Sequence, residues 1–95
     1  MRIAEVIGTV TLNRVHPTLV GFRWVIGVPY SLKALRDGKD PDGEDLVLLD
    51  QLGAGHGQKI GISEGVEAAA PFFPEKKAVD AYCACILDSV TIYGK

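Results

Sequence analysis

Apolar and polar positions alternate with a period of two at the start of the chain. Successive side chains of a β-strand point to opposite faces, so this period predicts a strand with one face in a core. The residues of the predicted inward face are Ala4, Val6, Gly8, Val10 and Leu12.

A second alternating segment follows a turn around His16-Pro17. Its bulkiest apolar side chains share one parity, and we predict that this parity faces the core. Pro29 has no N–H group, which limits strand pairing at the end of the segment. The predicted inward residues are Phe22, Trp24, Ile26 and Val28.

The chain from Ser31 to Asp45 is charged and contains two Asp-Gly pairs, which are typical of turns. We predict a mobile surface loop here. The apolar run of residues 46–52 then predicts a buried third strand, and the alternation in residues 59–63 predicts a fourth.

A second loop is predicted for residues 64–77, where prolines bracket Phe72-Phe73. Residues 80–84 predict a short helical turn, and residues 86–93 a fifth strand. The fold class predicted is therefore mainly all-β: a small, partly open, five-stranded OB-like β-barrel with one short helix, in a single domain spanning residues 1–95.

Composition narrows the function. The chain has 95 residues, of which 47% are hydrophobic but only 7% aromatic, and its net charge is −2. This charge gives no general attraction to nucleic acid or anionic lipid. The start of the chain reads into a strand and lacks a signal peptide's apolar stretch. Cys83 and Cys85, two apart on one strand, would point the same way and form a poor disulfide, so we expect a cytoplasmic protein with reduced thiols.

Four motifs, in order along nearly the whole chain, resemble the EutN/CcmL family of bacterial microcompartment vertex proteins. The resemblance implies an OB-like barrel that forms a homopentamer and caps the five-fold corners of a protein shell, beside hexameric and pseudo-hexameric tile proteins. It implies a structural protein with no cofactor. The motifs are residues 1–10, His16-Pro17-x-Leu19-x-Gly21, residues 50–57, and Val79-Asp80-Ala81 through residues 86–90.

The match departs from the family between Gly65 and Pro74, where relatives usually carry a small-residue and arginine motif. Side chains of this segment are therefore candidates for contacts that fit this subunit to its own shell. We assign Glu67, Phe72 and Phe73 as the candidate shell-contact segment, with Arg23 and Lys95 as further exposed candidates.

The glycine-rich stretch Gly53, Ala54, Gly55, His56 and Gly57 is the candidate pore or subunit-interface loop. Its glycine spacing does not match a dinucleotide-binding turn, which also requires a following helix. Two interpretations stay open: a tight turn near a ring opening or a neighbouring subunit, and a tight turn with no interface role. His56 could tune anion passage, because histidine changes charge near physiological pH, or it could be a solvated loop residue.

Other chemistry finds little support. The histidines at 16 and 56 lie far from the two cysteines and lack zinc-site spacing. The acidic residues at 37–45 do not fit the ligand positions of a calcium loop. No serine, histidine and aspartate follow a hydrolase pattern. We therefore predict no metal and no catalytic residue.

Two other classes of function stay open from the residues alone. An OB domain that binds nucleic acid would need a basic groove and exposed aromatic platforms, whereas this chain has scattered basic residues. A small ligand-binding or enzymatic barrel acting as a monomer would differ from a vertex protein in its oligomeric mass.

Overall fold

The computed structural model describes residues 1–11, 17, 21–65 and 81–93. In chain order its elements are β1 Arg2–Val10, β2 Arg23–Pro29, α1 Leu32–Asp37, β3 Leu46–Asp50, β4 Lys59–Glu64 and β5 Ala81–Ile86. The strands close into a barrel in the order β1-β2-β3-β5-β4. The predicted five-stranded barrel with one short helix is confirmed, and it is closed rather than partly open.

All neighbouring strands of the barrel are antiparallel except β3 and β5, which pair in parallel where Leu49 lies opposite Tyr82. The core inside the barrel is small and aliphatic, in keeping with the scarcity of aromatic residues. Its buried residues are Ala4, Val6, Val25, Leu48, Ala54, Ile60, Ile62, Ala81 and Cys83.

Strand β1 changes the phase of its alternation at a bulge. Ala4 and Val6 point into the core as predicted, but the register with β2 shifts between Val6 and Gly8. The shift places Gly8 opposite Ile26 and Val10 opposite Trp24. The prediction that Gly8 and Val10 continue the inward face is wrong, because a bulge adds one residue and exchanges the two faces beyond it.

The orientation predicted for β2 is also wrong. Val25 and Gly27 are buried, whereas Trp24, Ile26 and Val28 are only half-buried. Trp24 and Ile26 lie on the outer surface of the barrel. The space inside is narrow at this point: a Cβ atom added to Gly27 would lie 3.0 Å from Leu48 Cδ2. A large side chain therefore does not fit inward there.

The charged segment predicted as a mobile loop contains α1. Ser31 caps the helix, since its hydroxyl accepts a hydrogen bond of 3.0 Å from the N–H of Ala34. Gly38 ends the helix in the left-handed conformation, at φ 64°, and Lys39 N–H donates to the carbonyl of Ala34 at 2.9 Å. The local capping signals outweigh the loop-like charge content.

The last part of the chain differs from prediction in a similar way. Residues 81–86 form β5 instead of a helical turn, and residues 87–93 follow it without strand structure. The small side chains of Ala81 and Cys83 pack inside the barrel between β3 and β4. This tertiary packing decides the conformation, which local composition does not reveal.

Candidate functional site: the glycine loop and the α1 cleft

A buried carboxylate at the end of β3 organises the start of the glycine loop. Asp50 is 2% exposed. Its Oδ1 accepts a hydrogen bond of 2.9 Å from Leu52 N–H, and its Oδ2 accepts one of 2.8 Å from Ala54 N–H. The guanidinium of Arg23 forms an ion pair with Asp50 and donates to the carbonyl of Ala54 at 2.9 Å. Three groups thus hold the carboxylate in place.

The second half of the loop is fastened to β1. Gly57 N–H donates to the carbonyl of Val6 at 2.8 Å, and Val6 N–H donates back to Gln58 at 3.0 Å. Gln58 also closes the loop on itself, because its Oε1 accepts from Gly55 N–H at 2.6 Å. The φ of Gly57 is 85°, a conformation that favours glycine. The loop is therefore a fixed turn with His56 exposed at its tip.

This geometry does not build a dinucleotide site. The chain after the loop enters β4 at Lys59, whereas a pyrophosphate site needs the N-terminus of a helix. The structure thus brings together the five residues of the candidate loop as one turn. Its place at a ring opening or between subunits stays a prediction.

The two cysteines are separated by a second bulge. Cys83 lies opposite Ile62, and Cys85 lies opposite Gly61, the preceding residue of β4. Adjacent residues of a strand face opposite sides, so the cysteines do too, and the prediction that they point the same way is wrong. Both are free thiols. Burial, followed by the nearby carboxylate of Asp50, raises the pKa of Cys83 to about 12.

The acidic segment has a structural use. Asp42 accepts hydrogen bonds from Ser31, at 2.8 Å from its N–H and 2.7 Å from its hydroxyl. These bonds lower the pKa of Asp42. Across residues 1–11, 17, 21–65 and 81–93, no three histidine, cysteine or acidic side chains form a metal-binding cluster.

The candidate shell-contact residues Glu67, Phe72 and Phe73 lie outside the described residues, as does Lys95. Arg23, a further candidate for a shell contact, is half-exposed, and its guanidinium is bound to Asp50. The structure therefore gives Arg23 a role in holding the glycine loop.

A cleft that the sequence did not reveal lies beside the glycine loop. It has a volume of about 440 Å³ and is enclosed by α1, the start of β4 and the segment after β5. We call it the α1 cleft. It is lined by Tyr30, Ala34, Leu35, Gly38, Lys39, residues 57–59 and residues 87–90.

Charged groups at the floor of the α1 cleft have partners within the chain. The hydroxyl of Tyr30 donates to Glu5 Oε1 at 3.0 Å, and Lys59 Nζ lies 5.6 Å from the centroid of the Tyr30 ring. Burial, with help from the Glu5 carboxylate, raises the pKa of Tyr30 to about 12. No single motif marks this cluster, because its residues come from three elements distant in sequence.

The fold and its surface features define a class: a small closed β-barrel of the OB type, with a rigid loop and a cleft on its outside. Residues 1–88 match the family described as ethanolamine utilisation protein EutN/carboxysome. The chain belongs to the EutN/CcmL family, as its motifs predicted.

Two relatives agree with this assignment. The bacterial microcompartment shell vertex protein GrpN of Rhodospirillum rubrum is 29% identical over 90 residues, covering 95% of this chain and 96% of GrpN. The carboxysome shell vertex protein CcmL of Gloeobacter violaceus is 29% identical over 92 residues, covering 97% of this chain and 87% of CcmL.

Solved structures of these relatives share the fold. The pentameric microcompartment shell protein GrpN gives a TM-score of 0.81 at 27% identity, over 97% of this chain and 99% of GrpN. Gloeobacter CcmL gives 0.85 at 28% identity, over 98% and 91% respectively. The protein is therefore of the structural shell-vertex class and is not an enzyme. Within the described residues, no helix is long and apolar enough to cross a membrane.

Proposed function

We propose that this chain forms a homopentamer that closes a five-fold vertex of a microcompartment shell, in contact with hexameric and pseudo-hexameric tile proteins. The observation that carries the proposal is the match to vertex proteins over nearly the whole chain, together with the shared barrel of a pentameric relative. A sheet of six-fold tiles cannot close by itself, and five-fold units supply the curvature at its corners.

The modest core supports assembly. A chain of 95 residues buries about two-thirds of the surface of its unfolded state, so partner subunits can add substantially to its apolar burial. Half-buried apolar side chains on the outer surface, such as Trp24 and Ile26, are available for such contacts. A closed ring also requires two different contact patches on each subunit.

Native mass spectrometry tests the assembly. Five chains of 10.2 kDa give a ring of about 51 kDa. We expect this mass at micromolar concentration, and a monomer there would contradict the proposal. Co-expression with tile proteins from the same genomic neighbourhood should then yield closed shells, whereas tiles alone should leave open corners or sheets.

The family membership favours this function over an OB domain that binds nucleic acid. A titration with single-stranded DNA provides the comparison. We expect no binding with the steep salt dependence that phosphate contacts produce. Such binding would favour the nucleic-acid alternative.

A further inference from the structure

A band of apolar side chains crosses the outside of three neighbouring strands. The β1 bulge sets Val10 opposite Trp24, and the β2–β3 register sets Ile26 opposite Val47. Directly opposed residues share a face of a sheet, so these four side chains lie together outside the barrel. Val47 is 46% exposed and the neighbouring Ile7 42%. We call Ile7, Val10, Trp24, Ile26 and Val47 the β1–β3 face.

Contiguous exposed apolar surface marks an interaction site in soluble proteins. The five side chains of the β1–β3 face carry no charge. Its occupant should therefore offer apolar surface whose charged groups are already paired.

The α1 cleft meets this requirement. Ala34 and Leu35 on one side, with Leu87 and Val90 on the other, supply apolar walls. At its floor Tyr30 hydrogen-bonds the carboxylate of Glu5 and lies beneath the ammonium of Lys59. A volume of about 440 Å³ is within the range of protein pockets that accept large apolar groups.

The angular positions of the two patches suit a ring. The β1–β3 face is centred on β2, and the α1 cleft lies over the junction of β1 and β4, where Glu5 is opposite Lys59. Strands of a five-stranded barrel are spaced by about 72° around its axis, so the patches are about 108° apart. A regular pentagon has this internal angle, and a head-to-tail ring needs two different patches diverging by roughly that amount.

We propose that the β1–β3 face of one copy packs against the α1 cleft of the next copy, and that this pair of patches is the repeating contact of the ring. The inference rests on the proposed pentamer, since the number five comes from the pentameric relative and not from the angle. It assigns the contact to two surfaces that neither the family match nor the candidate loop identifies.

The first variant places a charge on one patch. Val47→Asp alters a half-exposed side chain, which the isolated barrel tolerates, but it puts an unpaired carboxylate into the contact. We expect loss of the 51 kDa species, about five times the 10.2 kDa chain, and a monomer in its place. The matched control is Leu32→Asp, which adds the same charge at an exposed apolar residue of α1 outside the cleft.

The second variant fills the other patch. Ser89 is exposed and lines the α1 cleft, so Ser89→Trp should occupy the space and also give a monomer. An equimolar mixture of the two variants is the decisive sample. The intact face of Ser89→Trp can still enter the intact cleft of Val47→Asp, so we expect a dimer of about 20 kDa that grows no further.

Trp24 provides a second measurement, because it is the only tryptophan of the chain and lies in the β1–β3 face. Its emission should shift to longer wavelength in the Val47→Asp monomer and return in the mixture. Unchanged far-UV circular dichroism checks that each variant is folded.

The outcomes separate the two proposals. A Val47→Asp variant that stays pentameric would overturn the assigned contact and leave the pentamer standing. A mixture that stays monomeric at concentrations where the unaltered chain forms rings would also overturn it. An unaltered chain that is monomeric would overturn both the contact and the proposed function.

Discussion

Asp50 shows how one buried charge determines the shape of a surface loop. A buried carboxylate is costly unless its oxygens are hydrogen-bonded. Here they accept from the N–H groups of Leu52 and Ala54, and Arg23 supplies the opposite charge. The aspartate is part of the motif that resembles the family, but its role in the fold is visible only from these contacts.

Replacing the carboxylate tests this role. In Asp50→Asn one oxygen becomes an amide that cannot accept from a backbone N–H, and the partner charge on Arg23 is lost. We expect the free energy of unfolding to fall by about 1–3 kcal/mol, as for a lost buried hydrogen bond to a charged group. Urea denaturation measures it. Asp45→Asn, at an exposed position, is the control and should change stability little; an equal loss in both would contradict the assignment.

The thiol of Cys83 should be unreactive in the folded protein. Its pKa of about 12 keeps it protonated near neutral pH, and the barrel covers it. In a Cys85→Ser variant, where Cys83 is the remaining thiol, we expect iodoacetamide at about pH 8 to modify it only after urea is added. Intact mass reports the modification. Rapid labelling without urea would show that the strand opens readily.

The same shift has a consequence for stability in alkaline solution. Because the folded pKa of Cys83 is raised above the reference value of 9.0, its contribution is fully present below that value and is lost as pH rises toward about 12. Tyr30 contributes in the same direction. A Cys83→Ala variant should therefore lose less stability between these pH values than the unaltered chain, though not all of the dependence.

At the scale of elements, α1 depends on its first turn. Ser31→Ala removes the hydroxyl that caps Ala34 N–H and also bonds Asp42. We expect a loss of about 1 kcal/mol in the free energy of unfolding and faster amide exchange in α1. Lys33→Ala, on the same helix, is the control. An unchanged exchange rate in Ser31→Ala would show that packing alone holds the helix.

The Asp42 side of this cap should be sensitive to acid. Its folded pKa is lowered by the bonds from Ser31, so its contribution is present above the unfolded-state value, about 4, and is lost as pH falls through the lowered value. Asp42→Ala should remove that part of the acid dependence. Asp45→Ala, an exposed carboxylate outside the Ser31 hydrogen bonds, should retain it.

Period two in the sequence predicted the strands well but not their orientation. Alternation on β2 separates Trp24 and Ile26 from Val25, yet both sets are apolar, and volume favoured the wrong one. The usual assumption that the bulkier face lies inside fails here because Gly27 leaves no room beneath Leu48. A bulky outer face is also what an assembling subunit requires.

The two bulges lay beyond sequence reasoning for a different reason. Neither Ile7 on β1 nor Ala84 on β5 has a side chain that signals an extra residue. A bulge is defined by the register of two strands, which depends on their partners. The α1 cleft has the same character, since Tyr30, Lys59 and Leu87 meet only when the barrel closes.

At the scale of the whole molecule, composition and motifs carried different parts of the prediction. Alternation and turn residues predicted the small barrel. The vertex class came from motifs in family order, which the family match over residues 1–88 confirmed. The proposed pentamer and its tile partners follow from the class and not from any feature of the isolated barrel.

The exposed position of His56 allows a test in assembled shells. If the glycine loop surrounds the ring opening, the five histidines of a pentamer would lie close together there. His56→Ala should then change the passage of small anions into shells while the 51 kDa mass of five 10.2 kDa chains is kept. A dye-quenching assay on loaded shells measures the passage. Unchanged passage would leave His56 as a solvated loop residue.

Closure of the barrel has a consequence for how the protein can diversify. Open sheets present unpaired backbone groups along their edges, and chains can join there almost regardless of sequence. The five strands here pair with one another around the barrel, so a partner must recognise side chains. Point substitutions on the outer surface can therefore change which shell accepts a subunit without altering its backbone. One scaffold can serve several kinds of shell in the same cell, each kept separate by surface chemistry.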